Sequence, residues 1–364
     1  MHRGVLTVKV VVCLLFSGPN VVTTASLDPA AIDAAYRWVC TQRRHFPANA
    51  DIWHLRFHWA RERERLQHAL NGGTYRFAPL AVVKKASGER VALWSATDAL
   101  VIRCLTQWLH TRLPVHRACE HVRGHGGGRA SVTRVHRLLR TGRFHYVCRT
   151  DIRQYYANID KTRLLAQLQA HVSDGHLFTL MKQIIHYSVE EGGEFHTPAK
   201  GIARGSALSP LLGAFHLYAL DGAMAANPHI NYVRYMDDFL IFARTRWHLR
   251  KAVKHLNHAL ASFGFEQHPD KTFIGPVDKG FDWMGFWFTR EGCTAVAPRA
   301  LANHARQYRR LYEQTRRYRS AAETITRVAR YRARWLRWVD AGLPRACGAY
   351  DPRKCDRRLP SPIP

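Results

Sequence analysis

Apolar residues in the middle of the chain gather into two short runs with a polar break between them. Tyr232, Val233 and Tyr235 precede the break, Phe239, Leu240, Ile241 and Phe242 follow it, and Met236-Asp237-Asp238 separates the two. β-Branched and aromatic residues favour strands, so the stretch predicts a tight hairpin with Asp237-Asp238 at its turn. Strand signals also cover Phe144 to Asp151, an aromatic hairpin from Gly280 to Phe288, and a hairpin from Tyr75 to Trp94 with its turn at Ala86-Ser87-Gly88-Glu89. Between them lie apolar stripes at helical spacing: Ile32, Tyr36 and Val39, then Trp53, Leu55, Trp59, Leu66 and Leu70, and later Leu249, Val253, Leu256, Leu260 and Phe263. Leu211 to Leu220 reads as a buried helix, and residues 298–338 as a long basic helical segment. Asp98 is expected to cap the helix after Trp94, and Asp160 the one over Lys161 to Leu168. The glycine-dense stretch Arg123 to Arg129 is expected to lie outside any helix. Strands and helices mixed in this way predict an α+β protein.

The 364 residues leave room for two or three subdomains around a sizeable core. The apolar run Val5 to Phe16, broken by Lys9, is too short to cross a bilayer as a helix. It resembles a poor signal peptide with Thr24-Ala25 as its small-residue site, and a disordered leader or a misassigned start accounts for it equally well. Charge changes the picture more. Against 27 Asp and Glu stand 55 Lys and Arg, a net charge of +28. Such an excess implies a polyanionic partner, nucleic acid rather than a membrane, because no basic amphipathic segment stands alone. The 8 cysteines are scattered without a C-x-x-C pair. That excludes a zinc knuckle or redox dithiol and reads as reduced, buried thiols in a cytoplasmic protein.

Adjacent carboxylates on an apolar ribbon repel, and a cation that holds them together explains their pairing. Asp151, ending its own strand, can join Asp237 and Asp238. Lys84, Lys85 and Arg90 cluster on the first hairpin, where they can grip a triphosphate or simply form a basic surface. In Arg123-Gly-His-Gly-Gly-Gly-Arg129 the glycines let backbone amides approach phosphates, though the Gly-Lys-Ser/Thr ending of a Walker loop is missing. A template-strand contact and a flexible turn are the two readings. Residues 298–338 carry Arg309, Arg316, Arg327 and Arg334 among many arginines, faced mostly by Glu313 and Glu323, which makes an electrostatic track for a duplex.

Tyr235-Met-Asp-Asp238 between apolar strands resembles motif C of reverse transcriptases, and other stretches follow that family's order. Asp151 to Tyr156 resembles motif A, Gly201 to Pro210 motif B, His268 to Thr272 motif D, and Gly280 to Phe288 the primer grip of motif E. Ala203-Arg204 stand where the family usually has Pro-Gln, a variation associated with group II-like enzymes. The chain is thus similar to the bacterial group II intron-like class.

The resemblance implies a right-hand polymerase with a ferredoxin-like palm, a fingers hairpin and a helical thumb. It divides the chain into a disordered leader (1–28), a helical extension (29–74), fingers (75–150), palm (151–297), thumb (298–342) and a disordered tail (343–364). It makes Asp151, Asp237 and Asp238 the catalytic metal ligands, and places Lys85 and Arg90 on the incoming nucleotide. Tyr156 becomes the gate beneath the sugar, excluding a 2′-hydroxyl. Arg204 and Gly205 fall at the nucleotide and template, and Lys271 becomes the proton donor to the leaving pyrophosphate. Joining a 3′-hydroxyl to an α-phosphate calls for two divalent cations, and Mg2+ suits carboxylate and phosphate oxygens. The expected partners are an RNA template, a DNA or RNA primer and dNTPs, with a structured cognate RNA as a further candidate and no membrane partner. Two alternatives keep the fold. An RNA-directed RNA polymerase usually carries Gly-Asp-Asp and a small gate, and a non-catalytic, maturase-like RNA-binding protein has no need of three acids.

Overall fold

A computed structural model describes residues 28–84 and 90–343. The leader, the 86–89 turn, Lys85 and the tail from 344 lie outside the described residues. At the centre is a four-stranded sheet in the order Ile230–Tyr235, Asp238–Ala243, Tyr146–Asp151, Phe273–Pro276. Every neighbouring pair in it is antiparallel. Along the chain, the strand Tyr146–Asp151 is followed by helices, the Ile230–Ala243 hairpin, the helix Arg246–Ser262 and the edge strand. That is the β-α-β-β-α-β succession and strand order of a ferredoxin-like sheet.

Successive side chains of a strand point to opposite faces, and the hairpin strand uses both. Phe239, Ile241 and Ala243 enter one core with Leu249, Leu256 and Leu260 of the covering helix. Leu240 and Phe242 enter a second core with Phe281, Trp283, Phe286 and Phe288. A strand buried on both faces needs a continuous apolar run, and Phe239 to Phe242 supply it. The second core is roofed by a three-stranded sheet, Gly292–Val296, Phe286–Thr289 and Phe281–Trp283, and by the helix Gly127–Arg140, whose Ser131 Oγ accepts from Trp283 Nε1 at 2.8 Å.

A second four-stranded sheet orders Arg90–Leu93, Leu80–Lys84, Val189–Glu191 and Glu194–His196. The helices Pro29–Gln42, Asp51–Phe57 and Trp59–Asn71 join the first core with the helix Ala96–Leu109. At the other end stand the helices Pro298–Arg316 and Ala321–Gly342, the second opened by a Ser320–Glu323 capping box. His304 stacks on Trp335 at 3.9 Å between them.

Three local expectations change. Ser95, not Asp98, caps the helix Ala96–Leu109. Asp98 is buried, and a buried carboxylate must collect donors, here Tyr75 Oη at 2.7 Å and Ala78 N at 3.3 Å. Helix begins inside the glycine run, at Gly127, where Gly126 and Gly127 supply the left-handed φ of 94° and 68° that the entry requires and Gly127 N donates to Glu120 O at 3.1 Å. The central hairpin turns at Met236-Asp237, and Asp238 already opens the next strand.

Asp160 does cap its helix, accepting from Arg163 N at 2.7 Å. Cys104, Cys119 and Cys148 are buried free thiols, and Cys293 is buried as well.

Beneath the hairpin Arg234 is wholly enclosed, paired with Asp221 through Nε at 2.7 Å. Breaking a buried pair by removing one partner strands the other charge. Asp221→Ala is therefore expected to cost about 3–5 kcal/mol, read as a lowered denaturant midpoint. A loss under about 1 kcal/mol would mean that water or a neighbour takes over the guanidinium.

Candidate active site

Antiparallel register brings the acids together. Asp151, the last residue of its strand, lies directly opposite Asp238, which is also opposite Tyr235. Ile152 N donates to Asp237 O at 3.0 Å and ties the end of that strand to the turn. One carboxylate oxygen from each of Asp151, Asp237 and Asp238 lies within 4.8 Å of the others.

The turn depends on Met236, a non-glycine residue at φ 55°. That left-handed conformation is unfavourable for a side-chain-bearing residue and needs support from its surroundings. Both sides of Met236 receive it. Arg234 Nη1 donates to Met236 O at 2.9 Å, and Met236 N donates to His121 Nδ1 at 3.0 Å. Because His121 Nδ1 accepts, its proton sits on Nε2, which donates to Pro210 O at 2.9 Å. Burial pushes the His121 pKa down to about 4, so the ring stays neutral and keeps this pattern. Arg234 also donates to Ala214 O at 3.0 Å. The turn is thereby pinned to the helix Ser209–His216 that follows the motif B glycines. Sequence reasoning missed both residues. Arg234 was detectable as a charge inside an apolar strand, whereas His121 carried no local signal.

Around the acids the charges are only partly balanced. Lys271 Nζ lies 2.9 Å from Asp151 Oδ1. Arg149 Nη2 lies 3.1 Å from Asp238 Oδ1, and its Nη1 reaches Asp282 at 3.5 Å. Arg149 is a further residue that the motifs did not single out. Burial, and then the charge of Asp151, raise the Asp237 pKa. Burial pushes Asp238 up to about 6, with Arg149 opposing and the other two acids adding to the rise.

Of the other expected site residues, Tyr156 is half-buried, and a Cβ at Gly213 would come within 3.2 Å of its ring. Burial and then the charge of Asp237 push its hydroxyl up to about 12. Tyr155 points into the core, its hydroxyl donating to Gly213 O at 2.6 Å. Arg204 is exposed, and its charge acts on both Asp237 and Tyr156. Gly205 beside it has φ 79°, in the region that favours glycine. Arg90 pairs with Glu191 across the intervening strand Leu80–Lys84. No described helix is long and apolar enough to cross a membrane.

A ferredoxin-like sheet with an acid cluster at its hairpin turn has the arrangement of a right-hand polymerase palm. The family model described as "Reverse transcriptase (RNA-dependent DNA polymerase)" matches residues 89–288, more than half of the chain, and the chain belongs to that family. Among solved structures, telomerase from Candida albicans in complex with a TWJ fragment of telomeric RNA is similar at 14% identity and a TM-score of 0.41, over 60% of this chain and 42% of that one. Apo telomerase from Candida tropicalis is similar at 11% identity and a TM-score of 0.46, over 60% and 49% respectively. The chain spans less than half the length of either telomerase chain. No curated protein matches.

The acid cluster gives a signed pH dependence. Asp238 keeps its proton to about pH 6 when folded, against an ordinary value of 3.8. Through this group the folded protein binds more protons between those values, so its stability declines as pH rises across them. A divalent cation bound to the ionised carboxylates should reverse that loss. Thermal unfolding with and without Mg2+ at pH 5.5 and 7.5 is expected to give the larger Mg2+-dependent gain at 7.5. Equal gains at both values would remove Asp238 from the metal site.

Proposed function

We propose that this chain is an RNA-directed DNA polymerase that extends a primer 3′-hydroxyl with deoxynucleoside triphosphates on an RNA template, of the group II intron-like class. The observation that carries the reading is the convergence of Asp151, Asp237 and Asp238 at the turn of the palm hairpin, with ligand oxygens within 4.8 Å of one another. Three hard oxygen ligands, two of them held above their ordinary pKa by burial and mutual repulsion, fit Mg2+. When bound, a pair of Mg2+ ions supplies activation of the 3′-hydroxyl and neutralisation of the triphosphate.

The chain's own residues do the rest. Asp151 and Asp237 would hold both cations, with Asp238 in support and itself oriented by Arg149. Lys271 balances the charge of Asp151 and would hold the proton destined for pyrophosphate. Arg204, Lys85 and Arg90 meet the triphosphate, and Gly205 leaves the backbone free to approach the nucleotide and template. Residues 29–74 form a helical extension, 75–150 the fingers, 151–297 the palm and 298–342 the thumb. In the thumb Arg309, Arg316, Arg327 and Arg334 are exposed and follow the backbone of the template–primer duplex. Free thiols suit a reducing, cytoplasmic setting.

Tyr156 lies beneath the sugar of the incoming nucleotide and excludes a 2′-hydroxyl by contact. Primer extension on one RNA template, with dGTP or GTP, tests both the activity and the gate. The wild type is expected to prefer dGTP strongly, and Tyr156→Ala to raise GTP use at least tenfold, whereas Tyr155→Ala lowers thermal stability and leaves the preference in place. Equal use of both sugars by the wild type would assign the chain to RNA synthesis instead. Asp237→Asn is expected to abolish Mg2+-dependent extension while raising metal-free thermal stability slightly, since it removes one of three repelling charges. Extension at the wild-type rate by Asp237→Asn would remove this acid from the metal site.

A further inference from the structure

Arg149 and Asp151 are two residues apart on one strand, so their side chains share a face of the palm sheet. Arg149 lies opposite Leu240, which makes Asp238 its diagonal neighbour on that same face. From there its guanidinium reaches well beyond its own strand. Nη2 donates to Asp238 Oδ1 at 3.1 Å, and Nη1 donates to Lys271 O at 3.1 Å. Nη1 also lies 3.5 Å from Asp282 Oδ1, on the strand Phe281–Trp283 that opens the aromatic hairpin. A single cation thereby faces carboxylates from two different sheets. Neither acid receives the two parallel bonds that would lock an arginine onto it. The side chain of Arg149 is 12% exposed, against 28% for Asp238 and 31% for Asp282. Water therefore screens the guanidinium little, and the two acids compete for it at close range.

We propose that Arg149 is a positioning residue shared between Asp238 and Asp282, and that the sharing couples the aromatic hairpin to the cation affinity of the acid cluster. The inference rests on the reading of Asp151, Asp237 and Asp238 as cation ligands. Mg2+ and the guanidinium are both cations, so each weakens the hold of the other on the Asp238 carboxylate. Asp282 draws part of the guanidinium's attraction toward the hairpin and leaves Asp238 freer to take Mg2+. A shift of the strand Phe281–Trp283 that carries Asp282 away returns Arg149 to Asp238 and lowers the cation affinity. By reciprocity, Mg2+ on the acids strengthens the contact of Arg149 with Asp282 and fastens the hairpin. That hairpin resembles a primer grip, so the seat of the primer end and the loading of the cations are linked through one side chain. Lys271 O keeps the guanidinium within reach of both acids and carries no full charge to bias it.

The test is a Mg2+ titration of the full chain, read as thermal stabilisation in the absence of nucleic acid. Asp282→Asn is expected to raise the Mg2+ concentration at half-maximal stabilisation about fivefold, because the whole guanidinium falls to Asp238. Arg149→Gln is expected to lower it, since a competing cation is gone. In the Arg149→Gln background, Asp282→Asn should shift the midpoint by less than about twofold, the residual pull of a screened charge. Arg149→Lys keeps the charge, but one ammonium does not span two carboxylates, so the Asp282→Asn shift should shrink in that background too. This conservative variant serves where Arg149→Gln fails to fold. A role confined to packing predicts equal Asp282→Asn shifts with and without Arg149, or none at all, and either result would overturn the proposal. The expected shifts without any primer extension by the wild type would keep the coupling and sink the polymerase reading. Extension by the wild type together with a midpoint indifferent to Asp282 would do the reverse.

Discussion

A guanidinium with no access to water holds the catalytic end of this molecule in place. Arg234 donates to Asp221, to the carbonyl of Ala214 and to the carbonyl of Met236. Its donors therefore connect one helix, the end of another and the strained turn that carries Asp237. A buried cation that cannot shed its proton must keep its partners, so the three elements move together or not at all. His121 repeats the arrangement from the opposite side with a neutral ring. The acids at the turn repel one another, and that repulsion falls on the left-handed residue beside them. That residue, Met236, is fixed in place by clamps at both its N–H and its C=O.

Electrostatics divides the molecule into two regimes. A net charge of +28 coats the surface, where water and salt screen each pair. At the palm turn three carboxylates stand close together, with Lys271 and Arg149 each taking one of them. Those two side chains act as counterions to the cluster, Lys271 partly exposed and Arg149 largely buried. Under the proposed function the wider positive field would draw in a polyanion, and the local negative cluster would hold the hard cations that accompany it.

Much of this was legible in the sequence, and for identifiable reasons. The continuous run Phe239 to Phe242 announced a strand covered on both faces. The stripe Leu249, Leu256, Leu260 announced its covering helix, and Asp151 at a strand end beside the hairpin announced the third acid. Motif order supplied the right-hand arrangement. Missed features depended on distance along the chain. Asp98 reads as a cap because its donors Tyr75 and Ala78 come from a preceding segment that only folding brings near. His121 reads as one basic residue among many, since its partners Met236 and Pro210 are remote in sequence. The helix Gly127–Arg140 hid its start because glycines signal a turn, and the turn ends within the glycine run itself.

The strand Asp238–Ala243 divides its side chains between two separate cores, with Phe239 and Ile241 on one side and Leu240 and Phe242 on the other. Sliding it by a single residue would exchange the two sets and carry Asp238 away from Asp151. Packing on both faces thus serves as a vernier for chemistry at the strand's end: the large hydrophobic energy of two interiors is spent on fixing the position of one carboxylate. Insertions and deletions between Asn231 and Ala243 are consequently barred twice over, while the connections beyond the two hairpin strands are free to lengthen. New specificity in such a scaffold has to be built around the hairpin and never within it.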